Sequence, residues 1–103
     1  MIALVLAAAV GIASWMPARF GENYLALPAG AGHIVRICGA ARCLVMVSTD
    51  SGPDLAMQRA GRVADIGVVA WEYLTGLPRS RGLAGVTITP ATLDASHAAW
   101  RAQ

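Results

Sequence analysis

The chain has 103 residues, 56% of them hydrophobic and 14% charged, with a formal net charge of +2. That length holds one domain with one core, and the apolar share excludes intrinsic disorder, because enough surface can be buried to offset the entropy of ordering. All eight basic residues are arginines, scattered from Arg19 to Arg101 without forming a stripe, which argues against a nucleic-acid partner.

The first ten residues are apolar without interruption. Even carried on to Trp15, the run falls short of the about 20 residues that a membrane-spanning helix needs, so no transmembrane span is expected. Residues 1–10 keep three readings open. They are an atypical export signal with small residues at Ala7-Ala8-Ala9 but no positive n-region, a first core strand or helix, or a stretch added by fusion or at the gene start.

Residues 11–16 read as a short strand ending at Pro17, and the glycine-punctuated stretch 19–32 reads as a loop. Residues 33–38 and 43–49 are β-branched, apolar runs that predict a hairpin. Its four-residue loop, Gly39-Ala40-Ala41-Arg42, is flanked by Cys38 and Cys43. Facing cysteines on neighbouring strands can reach bridging distance, so the pair is either a disulfide that locks register or two buried free thiols. No CxxC pair or HxxxH spacing completes a zinc site, and no metal or cofactor is expected.

Asp50-Ser51-Gly52-Pro53 has the composition of a turn, with an exposed loop following as far as Gly61. Residues 62–65 are short and extended. From Asp65 the pattern becomes helical, with Val69, Tyr73 and Leu77 on one face and Ala70 and Leu74 beside them. Asp65 is the expected cap, and Gly76 with Pro78 the stop. Residues 85–89 form a last strand closed by Pro90. Residues 91–103 read as a terminal helix, with Ala98 and Trp100 docking and Arg101 suiting its C-terminal dipole. Short strands, long turns and a mid-chain helix favour a small barrel over a sandwich or a doubly wound sheet.

Several short motifs follow one another in a telling order. They are Ala13-Ser14-Trp15, Leu27-Pro28, Asp50-Ser51-Gly52-Pro53, Arg62-Val63-Ala64-Asp65 and Gly85-Val86-Thr87-Ile88. The set resembles the RlpA-like double-psi β-barrel family, related to barwin and expansin domains, over about residues 11–89. The family pattern has an Ala-Ser-Trp-Tyr strand, a Leu-Pro-x-Gly turn, an Asp-Arg-Gly-Pro turn, an Ile-Asp-Leu-Ser helix start and a valine-rich closing strand. The resemblance implies a mainly β chain: a small six-stranded double-psi β-barrel with one or two short helices. It places the barrel domain at residues 11–90, with the apolar segment 1–10 before it and the helical tail 91–103 behind. It implies an extracytoplasmic domain that binds strands of peptidoglycan or another cell-wall glycan in a groove, with lytic transglycosylase activity as its enzymatic form. A non-catalytic expansin-like carbohydrate-binding module and a structural or interaction domain of an envelope or phage assembly are the alternatives. Three departures stand out: Met16 replaces the family's tyrosine, Ser51 replaces its arginine, and the loop before Leu27 is shorter than usual.

Lytic cleavage of a glycan needs a carboxyl group that gives and takes a proton, and a means of stabilising oxocarbenium-like charge. The chain has six carboxylates. Asp50 and Asp65 match family positions that line the groove and are the catalytic candidates. A turn aspartate bonded to its own backbone and a helix cap are the structural alternatives for the two. Glu22, Tyr24 and Trp15 are the substrate-binding candidates, the two aromatics as platforms for the apolar face of a sugar. The competing roles are a solvated carboxylate for Glu22 and core packing for Trp15. His33 and Trp71 read as structural, and Asp54, Glu72, Asp94 and His97 as solvated.

Overall fold

The computed structural model describes residues 8–92. Strands and helices follow in the order β1 (Ala9–Met16), β2 (Leu25–Leu27), β3 (Ile34–Cys38), β4 (Cys43–Val47), β5 (Asp50–Ser51), α1 (Leu55–Arg59), β6 (Arg62–Gly67), α2 (Val68–Thr75) and β7 (Leu83–Pro90). Single 3-10 turns at Ala18–Phe20 and Arg79–Arg81 complete the connections. The terminal helix expected over 91–103, with Ala98, Trp100, Arg101, Asp94 and His97, lies outside the described residues from 93 onward. So do residues 1–7 of the apolar N-terminal segment.

The protein is mainly β. One mixed sheet of seven strands, ordered β4-β3-β7-β1-β6-β2-β5, curls strongly into a half-barrel. It has one strand more than the expected six, and among the described residues its edge strands β4 and β5 do not pair to close it. Two pairs are parallel, β1 with β6 and β2 with β5, and the remaining neighbours are antiparallel.

Side chains alternate between faces along a strand, and here one face is apolar from β4 across to β2. Ala13, Ala64, Ile66, Leu25, Leu27, Val35, Ile37, Leu44, Met46, Val86 and Ile88 share it and form one buried cluster with α2. That helix supplies Ala70, Trp71 and Leu74, and the Trp71 indole N–H donates to the Ala13 carbonyl at 3.0 Å. Buried tryptophan needs such a partner. The helix is therefore turned so that Trp71 is fully buried while Val69 is 44% exposed. This corrects the expected Val69-centred face, although Tyr73 and Leu77 do pack at the margin of the core.

A bulge shapes the middle of the sheet. Between Ile12, paired with Arg62, and Ala13, paired with Ala64, the register shifts, leaving Val63 as the extra residue. Its side chain lies over Gly11, where any Cβ would meet Val63 Cγ1 at 2.4 Å.

Four local expectations change. The 19–32 loop contains β2, Asp50-Ser51 forms β5 alongside it, and the stretch before Gly61 contains α1. Asp54 caps α1 by accepting from the Met57 N–H at 3.0 Å. Asp65 is not a helix cap: it lies within β6, and α2 starts three residues later with Gly67 at the N-cap position. The β3–β4 hairpin forms as expected, with Cys38 opposite Cys43 in register and joined to it by a disulfide, Cα–Cα 4.0 Å.

Candidate functional site

Pairing partners in a ladder present their side chains on the same face. Asp65 pairs with Ser14 on one side and Ala26 on the other, and Ala26 pairs in turn with Asp50. Ser14, Asp65, Ala26 and Asp50 thus form one row across β1, β6, β2 and β5, on the face opposite the apolar core. Two strand spacings separate the Cα atoms of Asp65 and Asp50, about 10 Å. The structure brings the two aspartates to one surface.

Each carboxylate is held by a hydroxyl. Ser14 Oγ donates to Asp65 Oδ1. Tyr24 Oη donates to Asp50 Oδ2 at 3.1 Å, while Asp50 Oδ1 accepts the Ser51 backbone N–H at 2.8 Å. Asp50 therefore keeps the local backbone bond expected of a turn aspartate and gains a second partner from a distant segment. Asp65 is half-buried and Asp50 is exposed. Among the described residues no hydrogen bond reaches Asp65 Oδ2.

The turn after β5 folds over the row. Gly52 has φ +148, and a Cβ built there would lie 3.4 Å from the Ala26 Cβ and 3.7 Å from Asp65 Oδ2. Only glycine combines that backbone with so close an approach. Ala26, between the two carboxylates, is consequently buried.

Tyr24 is fixed at three points. Its carbonyl accepts the Gly67 N–H at 2.8 Å, its ring meets Phe20 with centroids 5.4 Å apart, and its hydroxyl reaches Asp50. Burial first, then the hydrogen bond to Asp50, then the negative charges of Asp50 and Asp65, push the phenol above its ordinary value.

The other two binding candidates stand apart. Trp15 lies on the core-facing side of β1, packed at the margin of the cluster, with its indole N–H donating to the Arg79 carbonyl at 2.7 Å. It is not on the face that carries Asp50 and Asp65. Glu22 is exposed in the segment leading to Tyr24, and no side-chain contact ties it to the row among the described residues. Arg79 also pairs with Glu72 at 3.0 Å, an exposed ion pair of the kind that adds little stability. A separate cavity of about 360 Å³ opens among Ala9, Leu27, Gln58, Arg62 and Ile88, and neither aspartate lines it.

Ser14 and Gly52 complete the site although their residue types alone do not single them out. The usable signal for Ser14 is alternation, because a serine between core-facing Ala13 and Trp15 must face the other way. Among the described residues no group of three His, Cys, Asp or Glu side chains could hold a metal ion, and no helix is long and apolar enough to cross a membrane. No protein-family model, curated protein or solved structure matches the chain.

Proposed function

We propose that the chain is a cell-wall glycan-binding domain of the RlpA-like double-psi β-barrel type, working outside the cytoplasm, in which Asp65 and Asp50 grip hydroxyls of a peptidoglycan strand. The observation that carries this reading is the single row Ser14–Asp65–Ala26–Asp50 on the sheet face opposite the apolar core. Carboxylates accept strong, charge-assisted hydrogen bonds from hydroxyl donors. Among the described residues Asp65 Oδ2 holds no hydrogen bond, and each Asp50 oxygen, holding one, keeps a second lone pair. Support for the finer fold comes from the five ordered motifs and from a curled, mixed sheet of short strands. Support for export comes from the Cys38–Cys43 disulfide, since such bonds persist in oxidising compartments.

Lytic cleavage of the same strand is the second reading. It is favoured by the unlike surroundings of the two carboxylates, one half-buried beneath Gly52 and the other exposed. Acid and base roles require such a difference. Against efficient cleavage stands the occupation of both aspartates as hydrogen-bond acceptors. The short segment between Pro17 and Leu27 also carries no histidine. Purified glycan strands, with and without stem peptides, decide between the readings when incubated with the protein and analysed by mass spectrometry. Binding without new 1,6-anhydro ends is the expected result. Rapid appearance of such ends, lost in Asp65→Asn, would replace binding by catalysis.

A further inference from the structure

We infer that Tyr24 serves the site through its hydroxyl, as a positioning residue that holds the Asp50 carboxylate in the row, and not as a stacking platform for a sugar ring. The inference rests on the glycan-binding reading above and assigns a part within it.

Asp50 stands on the least secured element of the sheet. Strand β5 is two residues long, lies at the edge and pairs with β2 alone. Its side chain is exposed, and its Oδ1 is tied to the adjacent Ser51 N–H, a bond within the same two-residue strand. The Tyr24 hydroxyl is the side-chain contact that links this carboxylate to another part of the fold.

Tyr24 is itself well anchored. Its carbonyl is bonded to the Gly67 N–H, at the junction of β6 and α2, two residues beyond Asp65. Gly67 makes this possible, because a Cβ there would come within 2.8 Å of the Gly21 carbonyl oxygen and 3.5 Å of that of Tyr24. The phenol therefore relates Asp50 to the strand that carries Asp65. Phe20, over which the Arg19 guanidinium sits 5.2 Å from the ring centroid, packs at 60° to the Tyr24 ring. Phe20 thus covers part of the Tyr24 ring, which is only part-exposed, while the hydroxyl is engaged with Asp50. A phenol is already a proton donor across the neutral range at its ordinary value, and the upward shift at Tyr24 widens that margin.

The test has two arms. In ligand-free protein, the Tyr24 phenol is titrated by ¹³C NMR of the ring Cζ in wild type, Asp50→Asn and Asp65→Asn. The hydrogen bond predicts a lower midpoint in Asp50→Asn, and a smaller fall in Asp65→Asn. Equal midpoints in wild type and Asp50→Asn would overturn the proposal. In the second arm, calorimetry with soluble glycan strands compares wild type, Tyr24→Phe and Tyr24→Leu. Positioning through the hydroxyl predicts that Tyr24→Phe binds about tenfold more weakly, close to Tyr24→Leu, with an unchanged fold by circular dichroism. Full affinity in Tyr24→Phe with loss in Tyr24→Leu would assign the role to the ring and overturn the proposal. If the wild type binds no strand, the glycan reading falls. The ligand-free titration then still decides whether Tyr24 holds Asp50.

Discussion

Ser14 and Asp65 occupy paired positions on parallel strands, so their contact follows from register and not from nearness in the chain. Replacing Ser14 by alanine leaves a half-buried carboxylate without its hydroxyl donor. The expected cost is about 1 kcal/mol, read as a fall of about 4–8 °C in Tm for a domain of this size. Ser14→Thr, which keeps the hydroxyl, should recover most of it. Tyr24 gives a second prediction at the same scale. Its folded phenol titrates above the ordinary value of 10.0, so between that value and its raised pKa the folded state binds more protons than the unfolded. The stability contributed is fully present below pH 10 and is lost as pH rises through the folded pKa. Urea unfolding over an alkaline series should show a steeper decline in wild type than in Tyr24→Phe.

Among the elements, the β3–β4 hairpin carries a duty that its composition does not announce. Its loop closes the end of α2, because the N–H groups of Ala41 and Arg42 both donate to the Leu74 carbonyl, at 3.0 and 3.1 Å. The Arg42 guanidinium also donates to the Tyr73 carbonyl at 3.0 Å and lies 4.7 Å from the centroid of its ring. Gly39 allows the approach, since a Cβ there would fall 2.4 Å from the Leu74 oxygen. The disulfide at the base of this loop closes a short ring, for which chain entropy gives about 2 kcal/mol. Reduction, or Cys38→Ser with Cys43→Ser, should therefore lower Tm by roughly 10 °C. Added loss of helical signal is expected as the end of α2 frays.

The hairpin was legible because two β-branched runs flank a short loop, and α2 because Gly76 and Pro78 stop it. Strands β2 and β5 were not legible. Three and two residues long, they show no period of their own and exist through pairing with β6 and with each other. Asp65 looked like a helix cap because an aspartate before an apolar run usually is one. Parallel pairing with β1 instead extends β6 through Gly67. At the site, the motif order put Asp50 and Asp65 forward. The Tyr24 hydroxyl bond depends on long-range register that a local pattern does not encode, whereas the core side taken by Trp15 is the packing role that its place in a short strand already offered.

For the whole molecule, the curled sheet separates two tasks. One face is filled by a single apolar cluster with Trp71 and Leu74 of α2, and the other presents the carboxylate row. The proposed glycan binding would use that second face and leave the core untouched, so loss of the carboxylates should abolish binding while sparing the fold. The most direct test is retention on insoluble peptidoglycan of the wild type beside the double variant Asp50→Asn with Asp65→Asn, with soluble fragments assayed in the same samples. The account predicts that the wild type is retained with little or no release of fragments. It predicts that the double variant, folded and melting within a few degrees of the wild type, stays in solution. Equal retention of the two proteins, or no retention of the wild type, would contradict it.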